Sequence, residues 1–304
     1  MTINPLSEEF ITDNLPHRES QIASIEKVYS DWQMFQDSDN FLISGVTGTG
    51  KTAMIQAIIK RLDNSIYSSC KDDGTTKKVL SRLTNTEVWT DISDLQAKLI
   101  KQTKTSPKII IIDEIHLCKD LDALMNTLNE LYRRTNIPII ILTNKFNFIS
   151  QIPDDAKKTL FFHRIDLSSY NAIQLNDILD SRLKLLETTF PEEIKRYICA
   201  KVVKEDYGSA RSVLNLARKC IRNNNYSTLF IDEVFHQIEE QEVYEFIAKI
   251  SKVEKVFLEN ILEISQEKPS FSSSDIKVRL PNISTARISQ LLTTFIKDYC
   301  ILEE

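Results

Sequence analysis

The sequence predicts an α/β fold with a parallel sheet, followed by an all-helical part. Short apolar runs rich in β-branched residues alternate with helical patterns between residues 40 and 170, as they do in βαβ units. One of these runs is followed by a glycine-rich loop, and another ends in two acidic residues. From residue 171 to about residue 240 only helical patterns occur, which places the sheet in the first part of the chain.

The glycine-rich loop fits the P-loop pattern G-x-x-x-x-G-K-[ST]. A strand over residues 41–44 precedes it and a helix over residues 53–62 follows it, which is the context that the motif requires. Glycines let successive backbone N–H groups face phosphate oxygens, and the helix N-terminus adds a partial positive charge. The residues predicted to bind a nucleotide here are Gly45, Val46, Thr47, Gly48, Thr49, Gly50, Lys51 and Thr52.

The acidic pair follows a run of four isoleucines, residues 109–112. Such a run predicts a buried parallel strand, so Asp113 and Glu114 should lie at the sheet edge where ligands bind. Asp113 suits Mg²⁺, directly or through water, and Glu114 suits the activation of an attacking water. Lys51 can reach the β- and γ-phosphates, and the Thr52 hydroxyl can bind Mg²⁺. Together these residues predict a site for ATP or ADP with Mg²⁺.

The other helices and strands of the predicted sheet domain have weaker sequence patterns. Asn144 ends an apolar run and would lie beside the acidic pair if the two strands are neighbours. Residues 70–108 are polar and mixed, and their basic cluster (Lys71, Lys77, Lys78, Arg82) is best interpreted as a solvated face. The patterns predict helices over 18–35 and 120–134 and strands over 65–68, 138–144 and 164–167.

Two helical parts follow the sheet. The first has predicted helices over 171–186, 191–206, 209–223 and 232–241. The second has a long helix over 244–266, a short one over 272–280, a break at Pro281-Asn282, a helix over 284–298 and a strand from Tyr299. This last order is typical of a winged helix-turn-helix, although little of the chain is left for a wing. A three-helix end of this kind can also bind protein.

Composition limits the class of protein and its partners. Apolar content is 42% and charged content 27%, as in soluble globular proteins, and 304 residues suggest two or three domains. No apolar run is long enough to span a bilayer, so no membrane partner is expected. Five scattered cysteines without a C-x-x-C pair predict reduced thiols in the cytoplasm, or in the nucleus of a eukaryote. The net charge of −5 means that any nucleic-acid surface is a local patch.

Taken in order, these motifs resemble those of AAA+ ATPases, and within them the origin-recognition initiator and helicase-loader family of archaea and eukaryotes. The resemblance covers nearly the whole chain. The residues that carry it are Pro16-His17-Arg18-Glu19, the P-loop, Asp113-Glu114-Ile115-His116, Asn144 as sensor 1, residues 167–175 as the junction of base and lid, and Gly208-Ser209-Ala210-Arg211 as sensor 2.

The resemblance implies a nucleotide-binding AAA+ base over residues 1–168, a helical lid over 169–243 and a winged-helix-like module over 244–304. It implies an ATPase that uses Mg²⁺. Its catalytic residues would be Lys51, Glu114, Asn144 and Arg211, with further nucleotide contacts from His17 and Arg18. Residues 152–160, where the family often carries an arginine finger, contain no arginine, so hydrolysis is expected to be slow.

The last predicted helix would be the recognition helix, with its N-terminal end in the major groove of duplex DNA. Ile288, Leu291, Leu292 and Phe295 would face inward. The side chains predicted to contact DNA are Ser284, Thr285, Arg287 and Gln290 at the bases and Lys277 and Arg279 at phosphates.

Two functions remain open from the sequence. The first is a DNA-replication initiator or helicase loader, whose partners are duplex DNA and either other AAA+ initiator subunits or a replicative helicase. The second is a nucleotide-switched scaffold or AAA+ regulator whose C-terminal module binds protein. The module from residue 244 onward holds eight Lys/Arg and nine Asp/Glu. This charge balance does not favour binding to DNA phosphates.

Overall fold

A five-stranded parallel sheet forms the centre of the first part of the chain, as the sequence predicts. The strands are β1 Asn40–Ser44, β2 Ser65–Ser69, β3 Ile109–Asp113, β4 Ile139–Thr143 and β5 Phe162–Asp166. The strand order is β2-β3-β4-β1-β5. β1, β3 and β4 are buried at every residue, which explains why their sequences are continuous apolar runs without alternation.

The structure is a computed structural model and describes residues 3–35, 38–62, 64–71, 74–268 and 270–295. The chain divides into two compact units, Met1–Ile231 and Asp232–Glu304. The boundaries expected between base, lid and module stay predictions. No helix in these ranges is long and apolar enough to cross a membrane.

Helices cover the sheet of the first unit. The helices are α1 Glu19–Phe35, α2 Lys51–Arg61, α3 Thr76–Thr84, α4 Ile92–Thr105, α5 Leu121–Thr135 and α6 Asp154–Leu160, with short 3₁₀ turns at Ile115–Leu117 and Phe148–Gln151. The sequence did not predict α3, α4 or α6, which lie in segments that appear polar. Thr75 caps α3, because its side chain accepts a hydrogen bond from the Lys78 backbone N–H, and the helix buries Val79, Leu80 and Leu83.

The helical part that follows the sheet agrees with its prediction up to residue 223. It contains α7 Ala172–Leu185, α8 Glu192–Glu205 and α9 Ala210–Asn223. Beyond this point the bounds of the predicted helices 232–241 and 244–266 were wrong, because one helix, α10, runs over Thr228–Lys249 and the next, α11, over Lys252–Glu267. Ser251 and Glu254 form a capping box at the start of α11, so the break between the two helices lies at residues 250–251.

The second unit has a small core of its own between α11, α12 (Ser273–Arg279) and α13 (Thr285–Thr293). The rings of Phe257 and Phe295 stack with centroids 5.6 Å apart. The predicted inward residues Ile288, Leu291 and Phe295 are buried, and Leu292 packs against them. Residues 296–298 of the predicted helix and the predicted strand from Tyr299 lie outside the described residues. The predicted wing stays a prediction, because it would lie beyond residue 295.

Candidate nucleotide site

A cavity of about 360 Å³ lies at the carboxyl ends of the central strands. The P-loop, the acidic pair and α9 all contribute to its wall, and so does the chain segment that precedes α1. The sequence-predicted residues that line it are Lys51, Thr52, Asp113, Glu114, Asn144 and Arg211. The fold thus brings together all four residues predicted to be catalytic and both predicted metal ligands.

The P-loop has the backbone conformation that its glycines allow. Gly48 and Gly50 have φ of +83° and +84°, a region that residues with side chains rarely adopt. A Cβ atom at Gly48 would also collide with the Ser209 hydroxyl, and Gly48 O accepts a hydrogen bond of 3.1 Å from Ala210 N. The loop is therefore in direct contact with the start of α9, the helix that carries Arg211.

Lys51 lies beneath this loop and is partly desolvated. Its Nζ donates to the backbone oxygens of Gly45 at 2.5 Å and Val46 at 2.9 Å. Burial lowers the pKa of Lys51 to about 8, while Asp113 and Glu114 act in the opposite direction. An ammonium group in this position is stabilised by an anion, so the residue fits a phosphate group.

Asp113 is held by three donors at the end of β3. Its Oδ2 accepts from Thr52 Oγ1 at 2.9 Å and from the Tyr67 hydroxyl at 3.0 Å, and its Oδ1 accepts from Glu114 N at 2.8 Å. The adjacent carboxylate and hydroxyl oxygens suit Mg²⁺, which prefers hard oxygen ligands. Sequence reasoning missed Tyr67, because its contact depends on β2 being the neighbour of β3.

Glu114 combines an unusual backbone conformation with a carboxylate oxygen that accepts no hydrogen bond among the described residues. Its backbone φ is +52°, and its Oε2 is buried without a hydrogen-bond partner among the described residues. Burial and the neighbouring Asp113 raise the pKa of Glu114. A buried acceptor that faces a cavity needs a polar partner there, and a water molecule poised for attack would supply one.

Asn144 and Arg211 complete the wall. Asn144 follows β4, which pairs with β3, so the neighbour relation required by the prediction is confirmed. Arg211 Nε forms an ion pair of 2.9 Å with Glu8 Oε2, and both side chains are about half exposed. Glu8 and the segment around it also line this cavity, and no motif in the sequence predicts this.

Comparison with known proteins shows which family the chain resembles. A family model described as "ATPase family associated with various cellular activities (AAA)" matches residues 41–168. ORC1-type DNA replication protein 1 from Sulfurisphaera tokodaii is 25% identical over 94% of this chain and 81% of its own length. The chain resembles the AAA+ origin-recognition initiator family.

Solved structures share the fold of this chain. The Aeropyrum pernix ORC1 protein, in a complex with DNA, has a TM-score of 0.76 at 20% identity, covering 96% of this chain and 86% of that chain. The Aeropyrum pernix ORC2 protein, in ADPNP–ADP complexes, has a TM-score of 0.66 at 14% identity, covering 97% of this chain and 89% of that chain. At these identities the likeness concerns the fold, an α/β AAA+ architecture with a parallel sheet.

His17 and Arg18 contact other residues and do not line the described cavity. Arg18 is buried, donates to Thr49 O at 3.1 and 2.9 Å, and lies 4.1 Å from the centre of the Tyr170 ring. His17 Nε2 is 2.8 Å from Asp177 Oδ2 on α7. Arg18 thus holds the P-loop against the junction with α7, and a direct contact of either residue with a nucleotide stays a prediction.

The residues predicted to contact DNA are all in the second unit. Lys277 Nζ donates to Pro281 O at 2.9 Å and to Ile283 O, which stabilises the turn between α12 and α13. Arg279 forms an ion pair of 2.8 Å with Glu263 and another with Glu267. Both predicted phosphate contacts therefore compete with bonds inside the protein.

At the N-terminal end of α13 no such competing bond to another element is found among the described residues. Ser284 caps the helix, because its Oγ accepts from Arg287 N at 3.2 Å. Arg287 Nη1 donates to Gln290 Oε1 at 2.5 Å within the same helix. Thr285, Arg287 and Gln290 are exposed, so the predicted reading face of the helix is accessible.

Proposed function

We propose that the protein is an ATP-binding, slowly hydrolysing AAA+ replication initiator or helicase-loader-like protein that binds duplex DNA. The observation that carries the proposal is the convergence of the P-loop, Asp113, Glu114, Asn144 and Arg211 on one cavity. The names of the relatives support the replication role, since they are DNA replication proteins. Other initiator subunits or a replicative helicase are the expected protein partners.

In this proposal each cavity residue has a distinct role. Lys51 neutralises charge on the β- and γ-phosphates, and Thr52 with Asp113 holds Mg²⁺. Bound Mg-ATP supplies the phosphoryl group that is transferred to water. Glu114 orients that water and accepts its proton, and the pKa raised by burial and by Asp113 makes it a better base near neutral pH.

Charge that develops during transfer is stabilised by Lys51, Asn144 and Arg211, all of which line the cavity. α6, which covers most of the segment where the family often carries an arginine finger, has Lys157 bonded to Asp154 at 3.1 Å. Arg133 from α5 lies against Asp155 of this helix at 2.9 Å. With the acidic residues of α6 neutralising nearby cations, slow turnover by the single chain is expected.

A second candidate function, a nucleotide-switched scaffold whose C-terminal module binds protein, is favoured by one observation. Lys277 and Arg279 are engaged within the module, and its charges nearly balance. The exposed face of α13 would then contact a protein surface. Duplex binding separates the two functions.

The test measures binding of a labelled duplex to the full chain with ATP, by fluorescence anisotropy at low salt, where backbone contacts are strongest. Arg287→Ala should weaken binding by about 1–3 kcal/mol if Arg287 contacts a base. Lys252→Ala removes an exposed cation at the start of α11 and serves as the matched control, with little expected effect. If the wild type binds no duplex under these conditions, the scaffold function replaces the initiator function.

A further inference from the structure

The first turn of α9 rests on the P-loop, and the roles proposed for the cavity residues do not use this contact. Ala210 N donates to Gly48 O at 3.1 Å. A Cβ atom at Gly48 would collide with both the hydroxyl and the Cβ of Ser209. Ser209 is only 7% exposed. The loop and the helix therefore touch with no space for a methyl group between them.

The P-loop supplies part of the cap of α9. The first backbone N–H groups of a helix have no acceptor within the helix, so each of them needs another partner. Gly48 O accepts from Ala210 N, and Ser209 Oγ accepts from Ser212 N at 3.3 Å. The start of α9 is consequently bound to the loop itself, and two of its N–H groups already have acceptors.

Asp206, which follows α8, ties the same turn to the preceding helix. Ser209 N donates to Asp206 O at 3.1 Å, and the Ser212 hydroxyl donates to Asp206 Oδ2. Ser212 Oγ also lies 3.1 Å from Ser209 Oγ. The Ser209 hydroxyl thus belongs to a network that joins the contact with the P-loop to the end of α8.

Arg211 lies inside this fixed turn. It directly follows Ala210, whose N–H binds the P-loop, and it directly precedes Ser212, whose hydroxyl binds Asp206. The Arg211 side chain lines the nucleotide cavity. Because both neighbours are held, the backbone of Arg211 is fixed relative to the P-loop. The loop that would bind the phosphates therefore also sets the place from which Arg211 reaches them.

We propose that Ser209 is a positioning residue for Arg211 and couples the P-loop to the contact with the γ-phosphate. The inference rests on the proposed ATP-binding function. Ser209 is not among the residues that line the described cavity, and it acts by holding the first turn of α9 against Gly48. Without its hydroxyl the P-loop residues stay intact and Arg211 is less well placed. ATP, which has a γ-phosphate, should be affected more than ADP.

Ser209→Ala removes the hydroxyl and keeps every backbone N–H group. We expect it to weaken ATP binding by about two- to tenfold, the range for the loss of one hydrogen bond, and to change ADP binding less. Ser227→Ala is the matched control, because Ser227 Oγ accepts from Phe230 N at the start of α10, also at 3.3 Å. Each variant loses a helix cap and should melt at a lower temperature, but only Ser209→Ala should lose preference for ATP.

A double-mutant cycle with Arg211→Ala decides whether Ser209 acts through Arg211. Calorimetric titration gives the ratio of ATP to ADP affinity for the wild type, both single variants and the double variant. If Ser209 only positions Arg211, the double variant should have the same ratio as Arg211→Ala alone. A structural role independent of Arg211 would give additive losses. Additive losses, or a wild-type ratio in Ser209→Ala, would overturn the proposal.

Hydrogen exchange tests the contact without any nucleotide. In the nucleotide-free full chain, peptides that cover residues 45–52 should exchange their amide hydrogens several-fold faster in Ser209→Ala than in the wild type, because the loop loses support from α9. Ser227→Ala should exchange like the wild type. Equal exchange in all three proteins would overturn the coupling even where ATP binds. The expected exchange in a protein that binds no nucleotide would contradict the proposed function, while the contact between α9 and the P-loop would stand.

Discussion

At the residue scale, the position of Asp113 depends on a tyrosine that lies outside every motif. The Tyr67 hydroxyl and the Thr52 hydroxyl share one carboxylate oxygen, at 3.0 and 2.9 Å. Burial and Asp113 raise the pKa of Tyr67, so the phenol remains a donor at all ordinary pH values. Tyr67 is thus a positioning residue for Asp113, the proposed metal ligand.

Tyr67→Phe removes this donor and keeps the ring. We expect the Mg²⁺ concentration for half-maximal turnover to rise several-fold, because Asp113 loses one of the bonds that orient it. Tyr132→Phe is the matched control, since the Tyr132 hydroxyl donates to Ser38 O at 3.0 Å and does not line the cavity. An unchanged Mg²⁺ requirement in Tyr67→Phe would show that Thr52 and the backbone suffice to orient Asp113.

His116 makes stability depend on pH. Burial lowers the pKa of His116 to about 4, with help from Lys145 and Lys51, and its Nδ1 has no hydrogen-bond partner among the described residues. The ordinary pKa of a histidine in an unfolded chain is about 6.5. Between these values the unfolded chain binds more protons than the native protein, so stability falls as pH falls through this window. Above this pH window, the titration of His116 does not change the stability of the protein.

The melting temperature measured at pH 7.5 and at pH 5 tests this dependence. His116→Gln should lose less stability than the wild type over that interval, because glutamine does not titrate. His236→Gln is the control, since the His236 side chain is 73% exposed. Equal losses in the wild type and in His116→Gln would mean that carboxylates alone cause the acid sensitivity.

At the element scale, the strands of the sheet were more predictable than the helices around it. A strand buried on both faces needs a continuous apolar run, and the four isoleucines at residues 109–112 form one. α3 has the helical spacing Thr76, Val79, Leu80 and Leu83 on its buried face, but the pattern is complete only when a threonine counts as inward.

Two contacts between distant segments had no signal in the sequence. Tyr67 meets Asp113, and Glu8 meets Arg211, because the strand order and the path of the N-terminal segment bring them together. No local pattern encodes either contact. The P-loop, the acidic pair and Asn144 were predictable because each lies next to its own strand.

The segment before α1 affects the cavity through Glu8, which pairs with Arg211 at 2.9 Å. A γ-phosphate that uses Arg211 must compete with this carboxylate. Glu8→Gln should therefore bind ATP more tightly, by at most about fivefold, since an exposed ion pair contributes about 0.2–1 kcal/mol. ADP affinity should change less.

Calorimetric titration with each nucleotide measures both affinities. Glu9→Gln is the matched control, because it removes the same charge from the neighbouring residue. Weaker or unchanged ATP binding in Glu8→Gln would show that Arg211 does not act on the γ-phosphate from this position.

At the scale of the whole molecule, the proposed functions lie in different compact units. Every described residue that lines the nucleotide cavity falls within Met1–Ile231, and every residue predicted to contact DNA falls within Asp232–Glu304. Substitutions at the two sites should consequently have separable effects. The nucleotide site is the more decisive of the two, since the assignment of every catalytic role depends on it.

Thermal unfolding with and without millimolar Mg-ATP tests this site most directly. A ligand at a hundredfold excess over its dissociation constant stabilises the native state by about 2.7 kcal/mol, so the melting temperature of the wild type should rise by several degrees. Lys51→Ala should lose most of that rise, whereas Glu114→Gln should keep it and lose turnover by about 10²–10⁴-fold. No rise in the wild type, or the same rise in Lys51→Ala, would contradict nucleotide binding at this cavity.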